Sequence, residues 1–331
     1  MDSPERQRAD ERVGEADRQT LLLAPLRGVT GLRFRQAYCA HFGGLDAAVA
    51  PFIATVAGER VKPEVLRGID PAVQPPGLPL VPQVIGKDPA QLRVMLRAMK
   101  ALGYADVDLN AGCPWPFVAK KGRGSGLLRN EDALEAMLEA GCDELGPGHF
   151  SLKVRLGLDE PTLLLKRLPL INRFPLRLLC VHPRTAKQMY EGEADVDAFA
   201  AVAGACALPL VYNGDIRTLE GWRRLRERFP AVSRWMLGRG LVANPFLAES
   251  LRAGRDTRDL ARFRAWHRDL LDRYAATTPG DHALLGHLKE LWTYLAPAFA
   301  GGRRLWDALK LTRTRAEFER VLAATPLRWR A

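Results

Sequence analysis

The 331-residue sequence is short of cysteine and of long apolar runs, and each shortage narrows its class. Its five cysteines (Cys39, Cys113, Cys142, Cys180 and Cys206) are widely spaced with no CxxC pair. That spacing argues against a zinc site or a disulfide framework and for a reducing compartment. No stretch approaches the roughly 20 apolar residues of a membrane span. The polar opening MDSPERQRADERVGEADRQT lacks the apolar core of a signal peptide. A soluble, cytoplasmic protein is expected, with neither a metal nor a membrane as partner. Acidic residues are also short, 38 against 49 Lys and Arg, for a net charge of +11. Residues 251–331 hold 16 basic and 9 acidic residues, so +7 of that surplus lies in the last quarter of the chain. Such a balance suggests a polyanionic partner but says nothing of the fold. The 47% apolar content excludes general disorder.

Residues 1–19 show no apolar periodicity and are expected to form a mobile tail. From Leu21 short apolar runs alternate with longer amphipathic stretches. The runs are LLLA (21–24), AAVAPF (47–52), LPLVPQVI (78–85), DVDLN (106–110), FSLKVRL (150–156), RLLCVH (177–182), LPLVYNG (208–214) and RWMLGRG (234–240). Most are continuous, as parallel strands covered on both faces should be. Asp88-Pro89 reads as a helix start, with Leu92, Met95, Leu96 and Met99 on one face, and Asn130 as the cap of a helix carrying Leu134, Met137 and Leu138. Eight strands in a βα rhythm fit an α/β fold, a (β/α)8 TIM barrel over residues 20–250, with a doubly wound sheet as the structural alternative. After Pro245 only helical periodicity remains, over 256–275, 281–298 and 302–324. A small, basic all-α domain over residues 251–331 is expected.

In a barrel the C-terminal strand ends build the active site. Here those ends collect Pro25, Leu26 and Arg27, then Gln83, Asn110 to Pro114, Lys153 and Arg155, His182 to Thr185, Asn213 to Asp215, and Gly238 to Gly240. Polar groups at one end of nearly every strand converge on one pocket. Gly238-Arg239-Gly240 and Asn213-Gly214-Asp215 follow strands 8 and 7, where barrels bind phosphate through backbone N–H groups; a plain tight turn is the alternative. An ammonium inside an apolar run, as at Lys153, needs a partner, and a negatively charged cofactor or a route to solvent would both serve. His182 suits either a hydrogen-bonded core position or the pocket. Gln83 offers a donor and an acceptor to a ring edge. Cys113 lies in a Gly-Cys-Pro turn, which favours a reactive thiol acting as nucleophile or proton donor. The stretch from Trp115 to Gly126, with Lys120, Lys121 and Arg123, suits an anionic polymer reaching the pocket.

The motifs LAPLRGVT, PQVIG, DVDLNAGCPWPFVAKKGRGSGLL, LKVRLG, VHPRT, YNGDI and MLGRGLVANPF occur in the order seen in the tRNA-dihydrouridine synthases, and the sequence resembles that family over roughly residues 21–331. The resemblance implies an FMN-containing barrel, a helical RNA-binding domain, and NADPH-dependent reduction of the uracil 5,6 double bond in the D-loop of tRNA. It would place Pro25, Leu26 and Arg27 along the flavin, Gln83 and Lys153 on its ring, and His182 beside it. Asn213, Gly214, Asp215, Gly238 and Arg239 would hold the ribityl phosphate, and Cys113 would be the general acid. Asn110 and Arg184 would orient the base, with Lys120, Lys121 and Arg155 near RNA phosphates. The segment HLKELWTYL is similar to the branch acting on uridine 16, where Lys289 would touch RNA, and a monomer is the expected state. Leu26 stands where the family has methionine, Pro183 where it has glycine, and Ser125-Gly126 varies the small-residue run. An FMN barrel reducing a free pyrimidine or other small molecule, and a flavin-free tRNA-binding factor, are the competing readings; the basic helical quarter disfavours the former.

Overall fold

The computed structural model describes residues 18–330, so all but the last two residues of the expected tail lie outside the described residues. Ten short strands, all parallel, form one sheet: β1 (Thr20–Leu23), β2 (Ala47–Val49), β3 (Ile53–Ala54), β4 (Leu80–Val81), β5 (Gln83–Ile85), β6 (Val107–Ala111), β7 (Phe150–Gly157), β8 (Leu179–Thr185), β9 (Leu210–Tyr212) and β10 (Arg234–Leu237). Two interruptions turn eight strands into ten. Pro51 separates β2 from β3 and Pro82 separates β4 from β5, and proline has no N–H to give the ladder. At one end of the order β5 pairs β3, and at the other β4 pairs β2. Both ends are therefore halves of the same two strands, and the sheet closes. A doubly wound sheet would stay open, so the barrel expectation holds.

Side chains alternate along a strand, and the barrel uses this to divide its core. Leu22, Val49, Cys180, Val211 and Met236 cluster inside. Leu21, Leu23, Leu152, Val181 and Trp235 belong to the larger core shared with the surrounding helices. Further along the inward rows, Cys180 gives way to His182 and then Arg184, Val211 to Asn213 and Met236 to Gly238. The interior is thus apolar low in the barrel and polar at its C-terminal mouth.

The expected caps are present. Asp88 accepts from the Ala90 and Gln91 N–H groups at the start of the helix Pro89–Ala101, and Asn130 accepts from Ala133 N–H ahead of Glu131–Leu145. Beyond the barrel come helices Leu260–Ala275, Asp281–Leu295, Gly302–Leu311 and Arg315–Ala324. The stretch read as one helix over 302–324 is two, because Thr314 and Glu317 form a reciprocal capping box that starts a new one. The helical region shares the main core with the barrel. Trp266 meets Phe34 edge-on at 6.0 Å and Phe42 at 5.7 Å between ring centroids, the first on the barrel helix Leu32–His41 and the second at its C-cap.

Truncating this contact should be costly: Trp266→Ala is expected to destabilise the protein by about 3–5 kcal/mol, read as a lower urea midpoint, whereas Trp266→Phe should recover much of it. A Trp266→Ala midpoint equal to wild type would show that the helical region does not depend on this contact.

Candidate active site

Five strand ends surround one cavity at the C-terminal mouth, lined by Pro25, Leu26, Lys153, His182, Asn213, Gly214, Asp215, Gly238 and Arg239, with Tyr190 from the loop after β8. The other two expected cofactor residues lie apart from this lining. Arg27 sits over Phe52, 5.6 Å from the ring centroid. Gln83 is wholly buried, donating to Asp108 at 2.7 Å and accepting from Asn110 at 2.8 Å.

The loop after β1 is fixed by Thr30, whose hydroxyl accepts from Leu26 N–H at 2.8 Å and donates to the Ala24 carbonyl at 2.9 Å. Lys153 projects from mid-β7 and donates to Asn213 Oδ1 at 2.7 Å, and Asn213 donates to the Met236 carbonyl at 2.8 Å. Burial pushes the Lys153 ammonium below its usual value while Asp108 pulls the other way. His182 accepts from Arg184 at Nε2, 3.2 Å away, which places the ring proton on Nδ1. Burial, then Arg155, Lys153, Arg184 and Arg239, hold this imidazole well below its usual value, so it is neutral at pH 7. The helix Arg239–Ala243 begins at the cavity wall. Its backbone bonds begin with Leu241 and Val242 N–H, which donate to the Gly238 carbonyl at 2.9 and 3.2 Å, ahead of which lie the N–H groups of Arg239 and Gly240, and the cap, Gly238, has no side chain to offer them.

Cys113 follows β6 in a turn that the neighbouring backbone holds. Asn110 Oδ1 accepts from Cys113 N–H at 2.8 Å, and the Cys113 carbonyl accepts from Ser125 N–H at 3.1 Å and from its hydroxyl at 2.9 Å. Gly124, at φ +56°, lies so close that a Cβ there would come within 2.8 Å of the Cys113 Cβ. Burial raises the thiol above its usual value, while the Trp115 backbone N–H, Arg155 and Arg27 favour the thiolate. The thiol therefore keeps its proton at neutral pH, with cations ready to receive the charge left when it goes. Of the two roles open to Cys113, this environment suits a proton donor.

This geometry can be set beside known proteins. The model of the dihydrouridine synthase family (Dus) matches residues 22–279. The chain belongs to the dihydrouridine synthase family. It is 30% identical over 325 residues to the tRNA-dihydrouridine(16) synthase of Cupriavidus necator, covering 92% of this chain and 97% of that one. The enzyme of the same name from Pseudomonas putida is 31% identical, over 90% of this chain and 89% of its own. Among solved structures, morphinone reductase in complex with tetrahydroNAD superposes with a TM-score of 0.52 at 15% identity, over 74% of this chain and 90% of that one. The old yellow enzyme from Trypanosoma cruzi gives 0.52 at 13% identity, over 72% and 89%. At such identities the likeness is one of fold.

Within this dihydrouridine synthase several residues stand elsewhere than the sequence suggested. Arg155, expected near RNA phosphates, is 2% exposed and donates to the carbonyls of Gly112, Thr185 and Met189. It ties the Cys113 turn to the loop after β8. Arg184, expected to orient the base, is fully buried between Asp215 and the Gly192 carbonyl. The Asp215 carboxylate faces Arg184, Arg217 and Arg239 and so positions cations instead of holding an anion itself. Its burial would raise its pKa, but the Arg184 hydrogen bond and the three positive charges hold it low. Lys289, expected on RNA, donates to the carbonyls of Lys310 at 2.9 Å and Thr312 at 2.7 Å, capping the end of the helix Gly302–Leu311. Lys120 and Lys121 are exposed on the Cys113 side of the mouth, as expected, although their segment is folded into the short helix Pro116–Ala119 and a 3₁₀ turn, Gly124–Arg129.

Two site residues escaped the sequence reading. Tyr190 stands between the guanidinium groups of Arg155 and Arg239, 5.2 and 4.8 Å from its ring centroid, and nothing in its loop sequence marks it. Asp108 had a signal, an acid inside the apolar run DVDLN. Burial raises it to about 6 despite hydrogen bonds from Gln83 and Ser151. A folded pKa above the unfolded value means stability that is complete below about pH 4 and is lost as pH rises through about 6. Asp108→Asn should abolish that loss, worth on the order of 2–3 kcal/mol, so urea midpoints of variant and wild type should diverge between pH 4 and 7. Parallel midpoints would show that Asp108 is not held in its acid form.

Proposed function

We propose that this protein is a tRNA-dihydrouridine synthase that reduces the 5,6 double bond of a D-loop uridine, using FMN and NADPH, with Cys113 as the proton donor. The observation that carries the reading is the pairing of a cation-lined barrel cavity with a protonated thiol on the same rim. The cavity's donor set fits a flavin mononucleotide. The uncapped first turn at Arg239 and the Arg239 guanidinium suit its phosphate, and Lys153, Asn213 and His182 offer donors to its ring. Gly214 lines the same cavity and packs closely behind it, since a Cβ there would come within 2.9 Å of the Ala194 Cβ. When bound, the flavin supplies hydride for uracil C6, renewed from NADPH.

The chain's own residues do the remainder. Uracil stacked in an RNA loop cannot reach a barrel mouth, so the nucleotide is extruded, at a cost of a few kcal/mol. Asn110, expected at the base, is buried at the end of β6, where its side chain accepts from the Cys113 N–H and donates to Gln83, so its part would be to hold the thiol's turn against the base. Cys113 delivers its proton to C5, and the hydride and proton together saturate the double bond. Arg155 and Arg27 lower the cost of the thiolate that remains. Closing the base against the barrel mouth excludes water from the reaction.

Phosphate contacts from the basic helical region, residues 251–331, would offset the cost of extrusion. Arg264, Arg268 and Arg304 are exposed there and make no ion pair among the described residues. A groove lined by Arg217, Arg239, Arg258, Tyr294 and Arg330 joins that region to the cavity edge. The names of the relatives favour uridine 16 as the position.

Purified protein should be yellow, and with NADPH and unmodified tRNA it should form dihydrouridine at one mapped D-loop position. Cys113→Ala should keep flavin and tRNA but lose about 10²–10⁴-fold in turnover. A colourless protein at full FMN saturation, or a Cys113→Ala variant turning over at the wild-type rate, would refute the reading.

A further inference from the structure

Among the described residues three aromatic side chains are well exposed: Trp115 at 58%, Phe117 at 70% and Tyr190 at 45%. All three stand at the C-terminal mouth of the barrel. Tyr190 lines the cavity already described. Trp115 and Phe117 follow Cys113, at the cap of the short helix Pro116–Ala119 and within it, and neither ring lines that cavity. Their exposure is not poor packing of the segment. Ala119, Leu127 and Leu128, from the same stretch, are buried, and the Trp115 carbonyl accepts from Val118 N–H at 2.9 Å and Ala119 N–H at 3.0 Å. The backbone is ordered beneath, and the two rings are turned outward from it. Trp115 is also tied to the chemistry, because its backbone N–H favours the thiolate form of Cys113. The Lys121 ammonium lies 4.6 Å from the centroid of the Phe117 ring, and Lys120 is exposed next to it.

Open aromatic faces interleaved with lysines on a fixed backbone match the chemistry of single-stranded nucleic acid, whose bases stack on rings while its phosphates meet cations. Extruding one nucleotide unstacks its neighbours as well, and those neighbours would lie beside the thiol. We propose that Trp115 and Phe117 form a stacking platform for the nucleobases flanking the extruded uridine, with Lys120 and Lys121 on the phosphates between them. This deepens the proposed function and rests on it. Every base has a π face, so the platform contributes affinity with little choice among sequences. Its contacts would be equally present before and during reduction, so they would act on KM and leave kcat nearly unchanged.

The test uses the full-length, flavin-loaded protein with an unmodified tRNA transcript and NADPH. The double variant Trp115→Ala/Phe117→Ala should raise KM about 10- to 100-fold with little change in kcat. Trp115→Phe, which keeps a ring, should restore most of the loss at its position. Trp115 is the exposed tryptophan among the described residues, so a uridine-rich oligonucleotide should quench the fluorescence of the wild type and not that component in Trp115→Phe. Wild-type KM in the double variant, a loss confined to kcat, or equal quenching in Trp115→Phe would each overturn the proposal. Failure of the proposed function shows separately, as wild-type protein yielding no dihydrouridine, and the quenching comparison would still decide whether bases stack on Trp115.

Discussion

The Asp215 carboxylate, set where β9 ends, fixes much of the cavity. It pairs with Arg184, Arg217 and Arg239 and accepts from the Ala194 N–H at 3.0 Å. Arg184 is wholly buried, and a guanidinium cannot shed its proton to escape the cost of burial. Asp215 is its only carboxylate partner among the described ion pairs. Other features follow from that pair. Arg184 fixes the His182 tautomer, and Arg239 is held across the face of Tyr190 at the start of the uncapped helix. Asp215 sits at φ +43°, a left-handed conformation that aspartate tolerates better than most residues, and the ion pairs hold it there.

The barrel accommodates so many charges by keeping them at one end. Low in the barrel the inward side chains are Leu22, Val49, Val211 and Met236, which need no partners. Toward the mouth the polar side chains share partners: Lys153 with Asn213, Gln83 with both Asp108 and Asn110, and Arg155 with three carbonyls. Each bond satisfies a group that would otherwise be costly to bury, and the same bonds set directions in the site. Asn110 shows the economy, since it receives the Cys113 N–H with one atom and donates to Gln83 with another. Stability and preorganisation here come from one network.

Much of this was legible in the residues. Proline and aspartate at 88–89 and asparagine at 130 act locally, through backbone groups within three residues, and they cap helices where the sequence placed them. The alternation of strand and helix fits a barrel and a doubly wound sheet alike, and it is the pairing at the two ends of the sheet that closes it; position at strand ends brought nine of the eleven expected cofactor residues to one cavity. Long flexible side chains were less readable. Arg155, Arg184 and Lys289 lie in the elements expected, but a guanidinium or ammonium several bonds from its Cα can turn to buried carbonyls or to solvent, and sequence position does not decide which. Asp108 reveals the same gap from the other side: its strand was recognised, but its burial depends on which face of β6 looks inward. The split of the last helix was readable in principle, since Thr314 and Glu317 are a capping-box pair, yet continuous apolar periodicity masks such a break.

The positive charge also reads differently once its partners are known. In residues 251–331 Arg252 pairs with Asp46 and Arg262 with Glu249, while Arg258, Arg273 and Arg303 pair with acids of the helical region itself. Part of the basic surplus therefore fastens the helices to the barrel and to each other. The helix Asp281–Leu295 then brings acid to the mouth, where the Glu290 carboxylate closes on Gly28 so tightly that a Cβ there would come within 2.5 Å of it. Burial raises the Glu290 pKa, with His287 opposing the shift. A carboxylate beside the loop after β1 repels phosphate, so the mouth presents cations on the Cys113 and Arg239 sides and an acid at Gly28. Electrostatics of that form restrict the direction of approach, which a uniformly basic surface could not do.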